Sequence, residues 1–106
     1  MDYRVTLNRP FVKVMPFVDF EAAPIDLTGW YGSILVTGPI SQNGVGAVVC
    51  SSTSAPRVVV ALGQISYETL PSDITQVGTY QYTLDATDTS GVERTYSRGL
   101  LFVDSV

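Results

Sequence analysis

Between Thr79 and Ala86 the chain alternates strictly, with Tyr80, Tyr82, Leu84 and Ala86 on one side and Thr79, Gln81, Thr83 and Asp85 on the other. A two-residue period of this kind predicts a strand with one face packed and the other in water. Asp88-Thr89-Ser90-Gly91 follows as turn chemistry, because Asp and Ser cap nearby backbone amides and Gly tolerates positive φ. Val92 to Val103 then supplies the return strand of a long β-hairpin.

The rest of the chain reads as further short strands. Tyr3 to Leu7 alternates, and Asn8-Arg9-Pro10 interrupts it. Phe11 to Phe20 is a second extended apolar stretch, in which Pro16 belongs at an edge or bulge because it has no amide to give a ladder. Trp30 to Thr37 is rich in β-branched and aromatic residues and stops at Gly38-Pro39. Gly44 and Gly46 mark a loop. Ala47 to Ser51 and Arg57 to Leu62 read as two more strands, joined as a hairpin through Ser51 to Pro56. From Gly63 to Leu70 the spacing of Ile65, Glu68 and Thr69, with Ser66 as a cap, predicts one helical turn before Pro71. The sum is an all-β fold: an immunoglobulin-like antiparallel β-sandwich of about seven strands with at most one short helical turn, with a small barrel as the alternative. No repeat or low-complexity linker divides residues 1–106, so a single domain is expected, with residues 1–10 as an extended N-terminal arm.

Composition narrows the function. With 45% hydrophobic and 15% charged residues, 106 residues are enough for one core without staples. The formal charge of −4 disfavours a nucleic-acid partner, which needs a basic stripe to neutralise phosphates. The single Cys50 lies in the apolar run Ala47-Val48-Val49-Cys50 and reads as a small core residue. No run approaches the roughly 18 apolar residues of a membrane span, and MDYRVTLNRP lacks the apolar segment of a signal peptide, so a protein made and used in the cytosol, or released by lysis, is expected.

Candidate chemistry is sparse. The chain has no His, which removes the commonest general base and most zinc and nucleophile pairings. Lys13 is the sole amine side chain and reads as a solvated strand lysine. Asp19, Glu21 and Asp26 cluster near one loop, where acids flanking a Pro-containing turn read as caps before they read as a glycosidase pair. Asp85, Asp88 and Ser90 before Gly91 suggest a calcium loop, but Thr87 and Thr89 stand where ligands are required, and a hairpin turn fits better. No catalytic residue, cofactor or metal is therefore expected. The six tyrosines and Trp30 would suit a glycan platform, yet Tyr80 and Tyr82 share a face with Leu84 and so read as core or interface.

Two segments carry a resemblance. PIDLTGW, from Pro24 to Trp30, and LPSDITQVGTYQYTLDATDTSGVERTYSRGLLFV, from Leu70 to Val103, resemble a family of small tailed-phage structural proteins. The shared positions are Asp26, Gly29, Gly78, Tyr80, Tyr82, Leu84, Asp88, Gly91, Gly99, Leu101 and Val103, and the likeness runs from about Pro24 to Val106. The chain departs from the family pattern at Tyr96 and Arg98 and in the Gly-rich stretch Asn43 to Gly46. The resemblance implies an immunoglobulin-like sandwich found in the virion, as a tail, baseplate or fibre adaptor or a head decoration protein. Its partners would be other virion proteins of the same phage and further copies of itself, with a host glycan as the alternative ligand.

The last strand is apolar on both parities, Leu100 and Phe102 on one face and Leu101 and Val103 on the other. A strand packed on one side accounts for only one pair, so a neighbouring subunit or the arm from Met1 to Leu7 is expected to cover Leu100 and Phe102. Tyr3 and Val5 on the arm, with Tyr96, Leu100 and Phe102 on the last strand, are the candidate interface residues.

Overall fold

A computed structural model describes residues 2–41 and 46–105. Gly44, one of the two glycines expected to mark a loop, lies outside them, as do Met1 of the arm and residues 43–45 of the stretch Asn43 to Gly46. Eight strands appear among the described residues: β1 (Tyr3–Thr6), β2 (Val12–Pro16), β3 (Tyr31–Thr37), β4 (Val48–Ser52), β5 (Val58–Ala61), β6 (Gln64–Glu68), β7 (Gly78–Thr87) and β8 (Glu93–Asp104). They form a five-stranded sheet in the order β1-β8-β7-β3-β4 and a three-stranded sheet in the order β2-β6-β5. The two sheets share one core, so the chain is an all-β sandwich.

The β7–β8 hairpin is the spine of the larger sheet, with Tyr80, Tyr82, Leu84 and Ala86 all buried. Its turn is built as the sequence implies. Asp88 Oδ1 accepts from the amides of Ser90 and Val92 at 2.9 and 3.0 Å, and Gly91 sits at φ 82°. Midway along, Leu84 faces Ser97 but Asp85 faces Thr95, so Tyr96 is the extra residue of a bulge.

Two expectations are corrected. Residues 64–68 form β6 and not a helical turn: Ile65, Tyr67 and Thr69 are buried, with Ser66 and Glu68 only half-buried between them. One helical turn fixes several dihedrals for a single hydrogen bond, whereas a strand between β2 and β5 gains two ladders. Residues 48–52 and 58–61 are not a hairpin either. β4 pairs with β3 and β5 pairs with β6, so Thr53 to Arg57 carries the chain from one sheet to the other.

Pro16 closes β2, an edge strand, as its missing amide requires. β1 runs parallel to β8, pairing Tyr3 with Leu101 and Thr6 with Asp104.

Three buried tyrosines define how the layers meet. Each phenol has an acceptor or partner, which is the condition for burying a hydroxyl cheaply. Tyr67 donates across the sheets to the Asp85 carbonyl at 2.8 Å, Tyr80 to the Gln76 carbonyl at 2.8 Å, and Tyr82 shares a 3.2 Å contact with Ser97. The sheets approach closely where β3 carries Gly32. A Cβ there would meet Ile65 at 3.0 Å, Val58 at 3.1 Å and the Tyr67 ring at 3.2 Å.

Candidate functional site

The smaller sheet has only three strands, so it leaves some of the larger one uncovered. On that side, edge strand β2 and the first half of β8 border a groove of about 680 Å³, lined by Tyr3, Lys13, Met15, Pro16, Thr95, Tyr96 and Arg98, among others. β1 covers β8 only from Leu101 to Asp104, and the Asp2 carboxylate accepts from the Leu100 amide at 3.0 Å. Among the described residues, no strand pairs with β8 upstream of that point on this side.

Aromatic packing shapes both ends of the groove. Tyr3, Phe11 and Tyr82 form a tilted triangle with centroids 5.2–5.6 Å apart. Tyr96 meets Phe17 edge-on at 5.0 Å, and Phe17 meets Trp30 at 5.7 Å. The bulge accounts for the position of Tyr96, because an extra residue re-aims a side chain within the ladder. Lys13 Nζ lies 5.3 Å from the centre of the Tyr3 ring, and its hydrogen bond with Tyr3 holds its pKa above the ordinary lysine value.

Each candidate interface residue has a definite position. Tyr3 and Tyr96 come together on the groove, whereas Val5 packs on the core. Leu100 and Phe102 are half-buried on a different face of the larger sheet, opposite in parity to the buried Leu101 and Val103. The arm reaches them: the Arg4 guanidinium sits 5.2 Å over the Phe102 ring and pairs with Asp104 at 2.7 Å.

Asp19 and Asp26 serve turns. Asp19 Oδ1 accepts from the amides of Glu21 and Ala23 at 2.8 and 3.0 Å. Asp26 Oδ1 accepts from the Thr28 hydroxyl at 2.6 Å and the Thr28 amide at 3.0 Å, and these bonds hold its carboxyl below the usual range. Asp85 accepts from the Thr95 hydroxyl at 2.7 Å. Among the described residues, no three His, Cys, Asp or Glu side chains gather as metal ligands.

Cys50 is 3% exposed, and burial pushes its thiol up to about 11. From a reference of 9.0, that shift lowers the thiolate fraction at pH 8 by roughly a hundredfold. A disulfide reagent at pH 8 is therefore expected to modify the native protein at least that much more slowly than the protein in concentrated urea. Equal rates would contradict the buried position.

Sequence reasoning missed three features. Arg98 joins Lys13 on the groove. Arg57 grips Asp73 through two hydrogen bonds of 2.8 and 2.5 Å, far apart in sequence and without a local signal. Phe20, the end of an apolar stretch in the sequence, is 96% exposed. Its signal was present, since Asp19 and Glu21 bracket it and a core aromatic seldom sits between two acids.

Compared with known proteins, the chain matches no protein-family model and no curated protein. No helix among the described residues is long and apolar enough to cross a membrane.

Proposed function

We propose that this chain is a non-enzymatic structural protein of a tailed-phage virion, made in the host cytoplasm, that works by occupying a place in the particle as a tail, baseplate or fibre adaptor or a head decoration. The observation that carries this reading is the kind of surface the fold presents. Large apolar side chains stand in water at ordered positions, Phe20 at 96% exposure and Leu62 at 68%, while Asp19 and Asp26, two of the three acids that suggested catalysis, are engaged as caps. Contact surfaces of this type mark association sites. The resemblance of Pro24 to Trp30 and Leu70 to Val103 to phage structural proteins supplies the class of assembly.

A glycan-binding reading draws on one observation, the half-open Tyr96 ring beside the groove. Tyr67, Tyr80 and Tyr82 are core residues and cannot contribute to a platform.

Immunogold microscopy of lysate particles, with antibody raised against the recombinant domain, tests the proposal. Label over the shell is expected for a decoration protein, and label at the tail or its tip for an adaptor or baseplate component. Particles that all remain unlabelled would overturn the virion reading.

A further inference from the structure

The loop after β2 is a small, heavily bonded hairpin. The Asp19 amide donates to the Ala23 carbonyl at 2.9 Å, and the Ala22 amide to the Asp19 carbonyl at 3.0 Å. The Asp19 side chain holds two more amides, and Ala22 takes a φ of 65° to complete the turn. The base of the loop is tied to the β5–β6 turn: Phe17 donates to the Gly63 carbonyl, and Gly63 to the Ile25 carbonyl. Phe20 projects from the tip of this frame, almost wholly in water, with the exposed Leu62 on the adjoining turn. An aromatic side chain on a pre-ordered turn loses little conformational freedom when it is buried, which is the property of an interface anchor.

The same molecule carries a receptor of matching chemistry. Phe20 is bracketed by Asp19 and Glu21, whereas the β2–β8 groove pairs aromatic and thioether lining from Tyr3, Tyr96 and Met15 with Lys13 and Arg98. In a chain with ten acids and six basic residues, a groove bearing two of the six is complementary to the acidic knob.

We propose that Phe20 of one copy docks in the β2–β8 groove of a second copy, with Asp19 and Glu21 facing Lys13 and Arg98. The inference rests on the assembly reading above and names one partner, another copy of this chain. Knob and groove are different patches, so the contact is heterologous: it closes as a ring or reciprocal pair, or it propagates. One aromatic anchor buries about 150–250 Å², against about 800 Å² per partner in a standard stable interface. The contact is therefore weak singly and accumulates where copies are held together.

Sedimentation velocity from low micromolar to millimolar protein tests it. The weight-average coefficient of the wild type is expected to rise with concentration. Phe20→Ser should weaken the association about thirtyfold, with an unchanged circular dichroism spectrum because the ring packs on nothing. Glu21→Lys and Lys13→Glu should each weaken it, and mixing the two should restore hetero-association, since a basic knob then meets an acidic groove. A monomer at every concentration, or Phe20→Ser associating like the wild type, would overturn the homotypic contact. Neither result changes where antibody labels a particle, so the two proposals fail separately.

Discussion

Replacing Tyr67 with alanine is expected to cost about 3–5 kcal/mol, the range for truncating a buried aromatic side chain. A chain of this length has roughly 5–15 kcal/mol of stability in total, so the variant loses about a fifth of it or more. The size of the effect follows from where Tyr67 sits. It is 0% exposed on β6, its ring lies under Gly32 of the opposite sheet, and its hydroxyl donates to the Asp85 carbonyl on β7. Truncation therefore opens a cavity at the closest approach of the two sheets and removes a hydrogen bond that spans them. In urea the midpoint should fall by about 2 M, for a denaturant slope of about 2 kcal/mol/M. Tyr67→Phe keeps the ring and should cost only about 1 kcal/mol. Equal midpoints for the two variants would show that the ring is not the element joining the sheets.

The same phenols predict an alkaline limit. Burial raises the pKa of Tyr67, Tyr80 and Tyr82, so each is held neutral in the folded protein. A folded pKa above the unfolded one contributes stability that is complete below the unfolded value of about 10 and is lost as pH rises through the folded value.

Asp73→Ala is the second large effect. The Asp73 side chain is only 7% exposed, and it accepts from the Arg57 guanidinium twice and from the Leu70 amide at 2.8 Å. Removal leaves a guanidinium and a backbone amide without their acceptor, at a cost of about 2–3 kcal/mol. The pair ties the start of β5 to the loop that feeds β7, so a smaller domain-wide penalty would mean that this loop is held by other contacts. The pH dependence has a definite sign. Arg57 holds the Asp73 carboxyl below the ordinary value of 3.8, so the contribution is fully present above the unfolded pKa and is lost as pH falls through the folded one. The gap in urea midpoint between wild type and Asp73→Ala should be constant from neutral pH down to about 4 and close below it. A gap that persists in strong acid would show that charge is not what the pair contributes.

How much of this was legible in the sequence depended on distance along the chain. The β7–β8 hairpin could be read because strand alternation, turn residues and return strand are contiguous, and the core face Tyr80, Tyr82, Leu84 and Ala86 followed from period alone. Around Ile65 two periods competed over a few residues. The helical spacing of Ile65, Glu68 and Thr69 was visible, but so was the alternation of Ile65, Tyr67 and Thr69, and pairing with β2 and β5 decided for the strand. The sheet change between β4 and β5 has no local signature, because a turn-rich connection from Thr53 to Arg57 suits a hairpin as well as a crossover. The groove is still less local. It needs β2 and β8 at one edge, separated by most of the chain, and a bulge at Tyr96 that alternation does not announce.

The parallel pairing of the first strand with the last has a mechanical consequence. Tension applied at the two chain ends pulls β1 back toward its start and β8 forward toward its end, so the strands slide past each other lengthwise. All the bonds from Tyr3 and Leu101 to Thr6 and Asp104, with the Arg4–Asp104 pair, then share the load at once. An antiparallel hairpin such as β7–β8, pulled open at its free ends, would instead lose its bonds in succession. Under load the rate of failure is set by the unfolding barrier and not by equilibrium stability. A strand of four residues thus makes the terminal pair the element that resists stretching.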